Sequence, residues 1–227
     1  MINMIVTKPK VRLLAYTQPV DELYNPIDAS KIEALVVAFA RSTRSIDSIE
    51  DIYINSCAED GIPKYIAQYM KMKHFTVFEF IDFTFEISGI SRACSHELVR
   101  HRTATYLQQS QRHVDLRDRG VVVPPKIEDD DRAFYVMNDN DKSWRANYAY
   151  MVDTIKIPKE DARFIAPNAI ETRVIMKIDG RNLLHFLKLR TDMSAMWEIR
   201  DVANLMWLKT KEVCPNIFST KFSGEWV

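Results

Sequence analysis

The chain has 227 residues, 47% hydrophobic and 27% charged, and its 31 Lys+Arg balance 31 Asp+Glu to a net charge of zero. That length and apolar content suit one globular domain spanning 1–227 with a real core. Neutrality argues against general nucleic-acid or membrane-surface binding, which draws on a basic surplus. Three scattered cysteines, Cys57, Cys94 and Cys214, show neither disulfide-scaffold nor zinc spacing. Reduced thiols, no metal and a cytoplasmic setting are therefore expected. Met1 to Lys10 lacks the apolar core of a signal peptide, and no apolar run is long enough to span a bilayer.

In chain order, Val11 to Tyr16 reads as a short strand. Ala29 to Arg41 reads as a helix, with Ile32, Leu35, Val36 and Phe39 on one face. Arg41 and Arg44 close it, where cations suit the helix dipole. A second helix is predicted from Ile62 to Met72, with Pro63 in its first turn. Phe75 to Ile87 is the clearest strand signal, because Ile81, Phe83, Phe85 and Ile87 alternate with Asp82, Thr84 and Glu86. Gly89 is expected to break that strand, and Ser88 or Ser91 to cap a helix carrying Ala93, Cys94 and Leu98 on its apolar stripe. On this helix Glu97, Arg100 and His101 fall at i, i+3 and i+4, so they would share a face.

Thr103 to Arg112 reads as a polar loop. Val121 to Pro125 is extended and stopped by proline, and Glu128 to Asp131 is a solvated linker or helix start. Arg132 to Ile155 reads as a helix whose second half, with Trp144, Tyr148, Met151, Val152 and Ile155, packs on the core. A short helix follows at Pro158 to Ile165 with Arg163 in its last turn, then a strand at Arg173 to Ile178 and a turn at Gly180. Arg181 to Arg190 reads as a helix with Leu183, Leu184 and Leu187 inward and with Arg181 and His185 sharing its polar face. The last helix, Ser194 to Glu212, stops before Pro215. Together these predict an α/β (α+β) fold with a mostly antiparallel sheet flanked by helices.

The segment Ser91 to Arg112 concentrates chemistry. It holds Arg92, Arg100, Arg102 and Arg112 with His96 and His101, no Lys or Asp, and a single Glu. Guanidinium groups offer forked permanent charge, and hydroxyls and amides add neutral donors, which is what a phosphate site needs. A solvated basic helix with a polar loop is the plainer reading. Against it stand the local charge imbalance in a neutral chain and the strongly hydrophobic strand that directly precedes the cluster.

Arg100-His101-Arg102, seven residues, then Ser110-Gln111-Arg112 resembles the signature of the flavin-dependent thymidylate synthases. Ser95-His96-Glu97-Leu98-Val99 and Gln108-Gln109 are similar to the same family. So are His74-Phe-Thr76-Val-Phe78-Glu79, the segment Gly180 to Arg190 with Trp197-Glu-Ile-Arg200, and Arg163 in Glu160-Asp-Ala-Arg163. The chain departs from the family pattern at Phe80 (usually His), Glu97 (Gln), Thr105 (Ser), His113 (Tyr) and Asp179-Gly180 (Asn-Ala). The resemblance runs from about Ala34 to near Phe218. It implies a homotetramer with active sites shared between subunits.

The resemblance also implies site residues. FAD would be held by Arg100, His101, Arg102, Gln108, Asp179, Gly180, Arg181 and His185, with Thr76 reaching a flavin bound mainly by a neighbouring subunit. The substrate dUMP would be held by Glu97, Leu98, Val99, Arg100, Gln108, Gln109, Ser110, Gln111, Arg112, Arg163 and Arg190, with Arg190 catalytic. Read from the residues alone, Arg163 and Arg190 each also suit a helix C-terminal cap.

The implied reaction is reductive methylation of dUMP to dTMP. It needs a held phosphate, which Ser110, Arg112 and Arg163 suit, and a cation near the pyrimidine carbonyls, which Arg190 suits. It also needs hydride, which no side chain supplies and a flavin does. Carbon would come from 5,10-methylenetetrahydrofolate and reducing power from NADPH. No cysteine lies beside these motifs, so no protein nucleophile is expected. The alternative from another class is a non-catalytic nucleotide- or RNA-binding regulatory protein using the arginine-rich loop.

Overall fold

A computed structural model describes residues 4–20, 31–58 and 61–219. The elements begin with β1 (Val6–Thr7) and β2 (Lys10–Tyr16). Three helices follow, α1 (Lys31–Ser42), α2 (Ile49–Ala58) and α3 (Ile62–Lys71). A 3-10 segment at Phe75–Phe80 leads into β3 (Asp82–Ser91), α4 (Arg92–Leu98), β4 (Thr105–Gln108) and β5 (Val121–Val122). Next come α5 (Pro125–Glu128) and α6 (Asp131–Ala149), which runs into a π-helical turn at Tyr150–Thr154. Then α7 (Lys159–Ala162) passes through a 3-10 turn at Arg163–Ile165 to β6 (Glu171–Asp179). The order closes with α8 (Gly180–Arg190) and α9 (Trp197–Val213).

An antiparallel four-stranded sheet of order β2-β3-β6-β4 is flanked by helices, and β1 pairs with β5 in parallel through Val6 with Val121 and Thr7 with Val122. The chain forms two compact units, residues 1–10, 87–100 and 106–175, and residues 11–86, 101–105 and 176–227. Strands β3 and β6 run through both. Among the described residues no helix is long and apolar enough to cross a membrane.

The first unit has a cluster of Leu116, Trp144, Tyr148, Ala162 and Ile170, with Met151, Val152, Ile157 and Ala166 packed against it. The second half of the 131–155 segment therefore packs inward as its aromatics suggest. Arg145 is nine-tenths buried here and pairs with Asp141 at 2.8 Å, while Trp144 Nε1 donates to the same carboxylate at 2.9 Å. The Arg145 guanidinium also donates to the carbonyls of Arg117 and, at 2.6 Å, Arg119. Burial of this charge is tolerated because every fork finds an acceptor.

The second unit buries Leu183, Leu184 and Leu187 on α8 and Ile199, Val202, Ala203 and Met206 on α9, as read from the sequence, while Ala195 and Met196 of the predicted stripe precede α9 and are half-buried. On α1 Ile32, Leu35 and Val36 are buried but Phe39 is only half-buried, and Ala34, Val37 and Ala38 are buried too, so this helix buries more than the single predicted face. Ile81, Phe83 and Phe85 are fully buried as their alternation requires. Glu33 sits on the buried face of α1 with no exposure, and its carboxylate accepts from Asn216 and Ile217 beyond α9.

Several sequence expectations are corrected. Phe75–Phe80 is a 3-10 segment, so the strand starts only at Asp82. Gly89 does not end it: β3 continues to Ser91 with Gly89 at φ +66°, because the Lys8 carbonyl approaches to where a Cβ would stand, 2.2 Å away. Helix α2 was not anticipated. Helix α9 begins at Trp197, leaving Ser194 and Ala195 outside, with the Met196 thioether accepting from Glu198 N. Within the polar loop Thr103 to Arg112, residues 105–108 form the edge strand β4. The start of the predicted first helix, Ala29 and Ser30, lies outside the described residues.

Candidate functional site

Two clusters of candidate residues are described, one in each unit. In the first unit, Ser91 caps α4 by accepting from Cys94 N at 2.9 Å, a contact of about 1 kcal/mol. This helix ends at Leu98 with Val99 as its C-cap. Glu97 is on the helix, but Arg100 and His101 lie beyond it, so the i, i+3, i+4 face predicted for the three does not form. Leu98 is fully buried, and its carbonyl accepts from the Tyr106 phenol at 2.9 Å. Burial pushes that phenol up to about 12. The Arg100 guanidinium is exposed and lies 3.4 Å from His96 Nε2.

Gln108 turns inward from β4. Its amide donates to Ser95 Oγ at 2.8 Å and to Thr172 Oγ1 at 3.2 Å, tying three elements. Gln109 N donates to the Arg173 carbonyl, continuing the edge-strand ladder. Beyond it the chain turns, with Ser110 Oγ accepting from Arg112 N at 3.2 Å and the Ser110 carbonyl from Val114 N. Gln111 is half-buried within this turn.

Arg112 and Arg163 meet at one residue. Arg112 Nε pairs with the Glu160 carboxylate, and Arg163 Nε donates to the Glu160 carbonyl at 2.9 Å. The helix-cap reading thus holds for Arg163 Nε, which covers a carbonyl of α7. Glu160 was not among the sequence candidates, although its i, i+3 spacing from Arg163 on a short helix was the available signal. Half-buried Arg92 is lowered from the ordinary arginine range, first by burial and then by the neighbouring Arg163. Ser110, Arg112 and Arg163 therefore form an anion-suited group in which a carboxylate now faces Arg112.

In the second unit the site is built on α8. Asp179 caps this helix, accepting from Asn182 N at 2.9 Å and from Asn182 Nδ2 at 2.6 Å. Gly180 N donates to the Ile81 carbonyl at 2.7 Å. A Cβ on Gly180 would stand 2.7 Å from the Phe78 carbonyl and 2.9 Å from Ile81 Cγ1. Glycine at this position lets the 3-10 segment that carries Thr76 press close on the start of α8; Thr76 itself is exposed.

Arg181, His185 and Lys188 recur at i, i+4 and i+7 and line a pocket of about 360 Å³ with Asn182, opposite Met70 and Phe75 and beside Leu184. The Arg181 guanidinium pairs with Glu79. Apolar and aromatic walls facing the Arg181 guanidinium, the His185 imidazole and the Lys188 ammonium fit a flavin nucleotide, whose ring wants the former and whose phosphates and polar edges want the latter.

At the other end of α8, Arg190 Nε donates to His101 Nε2 at 2.8 Å, and the His101 ring stands edge-on to Phe186 at 4.8 Å. Burial, then Arg190, then His185 push His101 down to about 4. Thr191, not Arg190, is the C-cap residue of α8: its amide and hydroxyl both donate to the Leu187 carbonyl. Arg102 follows on an exposed turn.

The family profile described as thymidylate synthase complementing protein matches residues 27–216. A flavin-dependent thymidylate synthase from Clostridium tetani is 34% identical over 95% of this chain and 86% of its own length. One from Geobacter sulfurreducens is 40% identical over 82% of this chain and 80% of its own. Among solved structures, the fold is similar to a UMP/dUMP methylase, PolB, from Streptomyces cacaoi, crystallised with 5-Br dUMP. The TM-score is 0.78, at 19% identity over 95% of each chain.

Proposed function

The chain belongs to the flavin-dependent thymidylate synthase family, and on that premise we propose that it reductively methylates dUMP to dTMP. Carbon comes from 5,10-methylenetetrahydrofolate and reducing equivalents from NADPH by way of FAD. The observation that carries this reading is the polar face of α8, where Arg181, His185 and Lys188 line a pocket with Met70, Phe75 and Leu184 and Arg190 donates to His101 at the far end. Bound FAD supplies the hydride that no side chain stores.

The chain's own residues bind and polarise. Arg181 and His185 hold the cofactor's charged and polar groups, and Thr76, Arg100 and Arg102 complete its contacts. Ser110, Arg112 and Arg163 take the nucleotide phosphate, the incoming dianion replacing the Glu160 carboxylate on Arg112. Arg190 stabilises negative charge developing on the pyrimidine carbonyl edge, which makes C5 the nucleophile. No cysteine attack is required: Cys94 and Cys214 are buried, and burial pushes the Cys214 thiol well up. The family expectation of a homotetramer with shared sites belongs to this proposal. The non-catalytic nucleotide- or RNA-binding alternative is not favoured, because the relatives are named as synthases.

The test is direct. Purified protein supplied with FAD is expected to be yellow, to bleach with NADPH when air is excluded, and to convert dUMP to dTMP only when methylenetetrahydrofolate is present. Protein that binds no FAD, or that binds it and forms no dTMP with all substrates supplied, overturns the proposal.

A further inference from the structure

We infer that Asp115 is a positioning residue for the nucleotide phosphate site: through its ion pair with Lys159 it holds α7, the turn that leads into Arg163, against the loop that carries Ser110 and Arg112. This rests on the functional reading above, which gives Ser110, Arg112 and Arg163 the phosphate of dUMP.

Helix α7 is a single turn, Lys159–Ala162. One turn of helix is unstable by itself, because closing it fixes several residues for very few hydrogen bonds. Its place is therefore set by tertiary contacts. Ala162 is fully buried in the cluster that holds Leu116, the residue after Asp115. Two ion pairs then join the turn to the loop, Glu160 with Arg112 and Lys159 Nζ with the Asp115 carboxylate at 3.2 Å. Arg163 Nε turns back on the Glu160 carbonyl within the same segment.

The two ion pairs fare differently when substrate arrives. A phosphate on Arg112 takes the place of the Glu160 carboxylate, so that tie is lost just when Arg163 has to be in position. The Asp115–Lys159 pair uses neither arginine and persists.

Asp115 is itself firmly held. Its Oδ1 accepts from Arg117 N and Nε, each at 3.0 Å, and its Oδ2 accepts from Arg117 Nη2 at 2.7 Å. Arg117 is fixed in turn by Asp153 at 2.6 Å on the π-helical turn, and its carbonyl accepts from the buried Arg145. The Arg117 guanidinium and, less strongly, Lys159 hold the Asp115 carboxyl well below the usual carboxylate range. The pair is thus charged on both sides at neutral pH.

Electrostatics gives the test its sign. A carboxylate near a dianion site repels the dianion, so a purely Coulombic role for Asp115 makes Asp115→Asn bind dUMP more tightly. A positioning role makes it bind more weakly, because α7 loosens. Asparagine keeps an oxygen to accept from Arg117 N.

The measurement is the dUMP dissociation constant of the FAD-loaded full chain by calorimetry, with FAD affinity measured beside it. Asp115→Asn and Lys159→Met are each expected to raise the dUMP constant about threefold to fivefold, the range of a half-exposed ion pair. Lys159→Arg, which keeps the charge, stays within about twofold of wild type. The double variant Asp115→Asn with Lys159→Met stays within about twofold of the weaker single one, because both substitutions remove one contact. FAD affinity changes by less than about twofold throughout.

An Asp115→Asn variant that binds dUMP as tightly as wild type or more tightly overturns the proposal. So do additive losses in the double variant, or FAD affinity weakened alongside dUMP affinity. Should Asp115→Asn not fold, unchanged dUMP affinity in Lys159→Met, or a loss there that Lys159→Arg does not restore, overturns it equally. Wild-type protein that binds no dUMP overturns the functional reading and this proposal with it, whereas wild type that binds dUMP beside an unaffected Asp115→Asn overturns this proposal alone.

Discussion

Replacing Glu33 tests how the second unit is closed at its carboxyl-terminal end. The Glu33 carboxylate has no solvent exposure. Oε1 accepts from Asn216 N and Ile217 N, each at 2.8 Å, and Oε2 accepts from Asn216 Nδ2 at 2.6 Å. Glu33→Ala strands two backbone amides and one side-chain amide in a site sealed from water. Each buried orphan costs about 1–3 kcal/mol, offset in part by no longer burying a carboxylate, for a net loss of about 3 kcal/mol. Glu33→Gln keeps the Oε1 acceptor and turns an NH₂ toward Asn216, whose own amide flips to meet it, for about 1 kcal/mol.

Burial raises the Glu33 carboxyl above 4.5, outweighing its three hydrogen bonds. A raised folded value means a stability contribution present below 4.5 and lost as pH rises through the folded value, so the advantage of wild type over Glu33→Gln shrinks on going from pH 4 to pH 7. Urea denaturation with m held common across the variants measures all of this. A Glu33→Ala variant within 1 kcal/mol of wild type, or a Gln variant worse than the Ala variant, refutes the reasoning.

Gly89→Ala at φ +66° sets a Cβ 2.2 Å from the Lys8 carbonyl and is expected to destabilise by at least about 3 kcal/mol, read as a fall in thermal midpoint. Arg145→Met leaves the Asp141 carboxylate buried without its cation and is expected to cost about 3–5 kcal/mol. The double variant with Asp141→Leu recovers a large part of that loss in the same denaturation assay, and a double variant as unstable as the single one contradicts the ion-pair account.

The elements most legible in the sequence were those whose period matched their burial. Ile81, Phe83 and Phe85 alternate and are fully buried, and Leu183, Leu184 and Leu187 recur at helical spacing and face inward. The segment Phe75–Phe80 looked like the same strand because it is rich in aromatic and β-branched residues, yet it coils into a 3-10 turn against α8. Propensity was overridden there by packing made possible only because residue 180 lacks a Cβ. Helix α2 had a readable start, Ser48 capping Asp51 N at 3.1 Å, but its isoleucine-rich run masked the helical period.

Local pattern and motif residues were thus determined by the chain itself: where helices bury a stripe, which segments carry guanidinium, and which family the motifs resemble. Partnership was decided only by the folded molecule. Nothing in the spacing says that His101 accepts from Arg190, 89 positions away, that Arg112 and Arg163 meet at Glu160, or that Glu33 is spent on Asn216 and Ile217. The physical reason is that helical and strand periods report which face is apolar, whereas a buried charge or hydrogen-bonding group is satisfied by whatever the topology brings beside it.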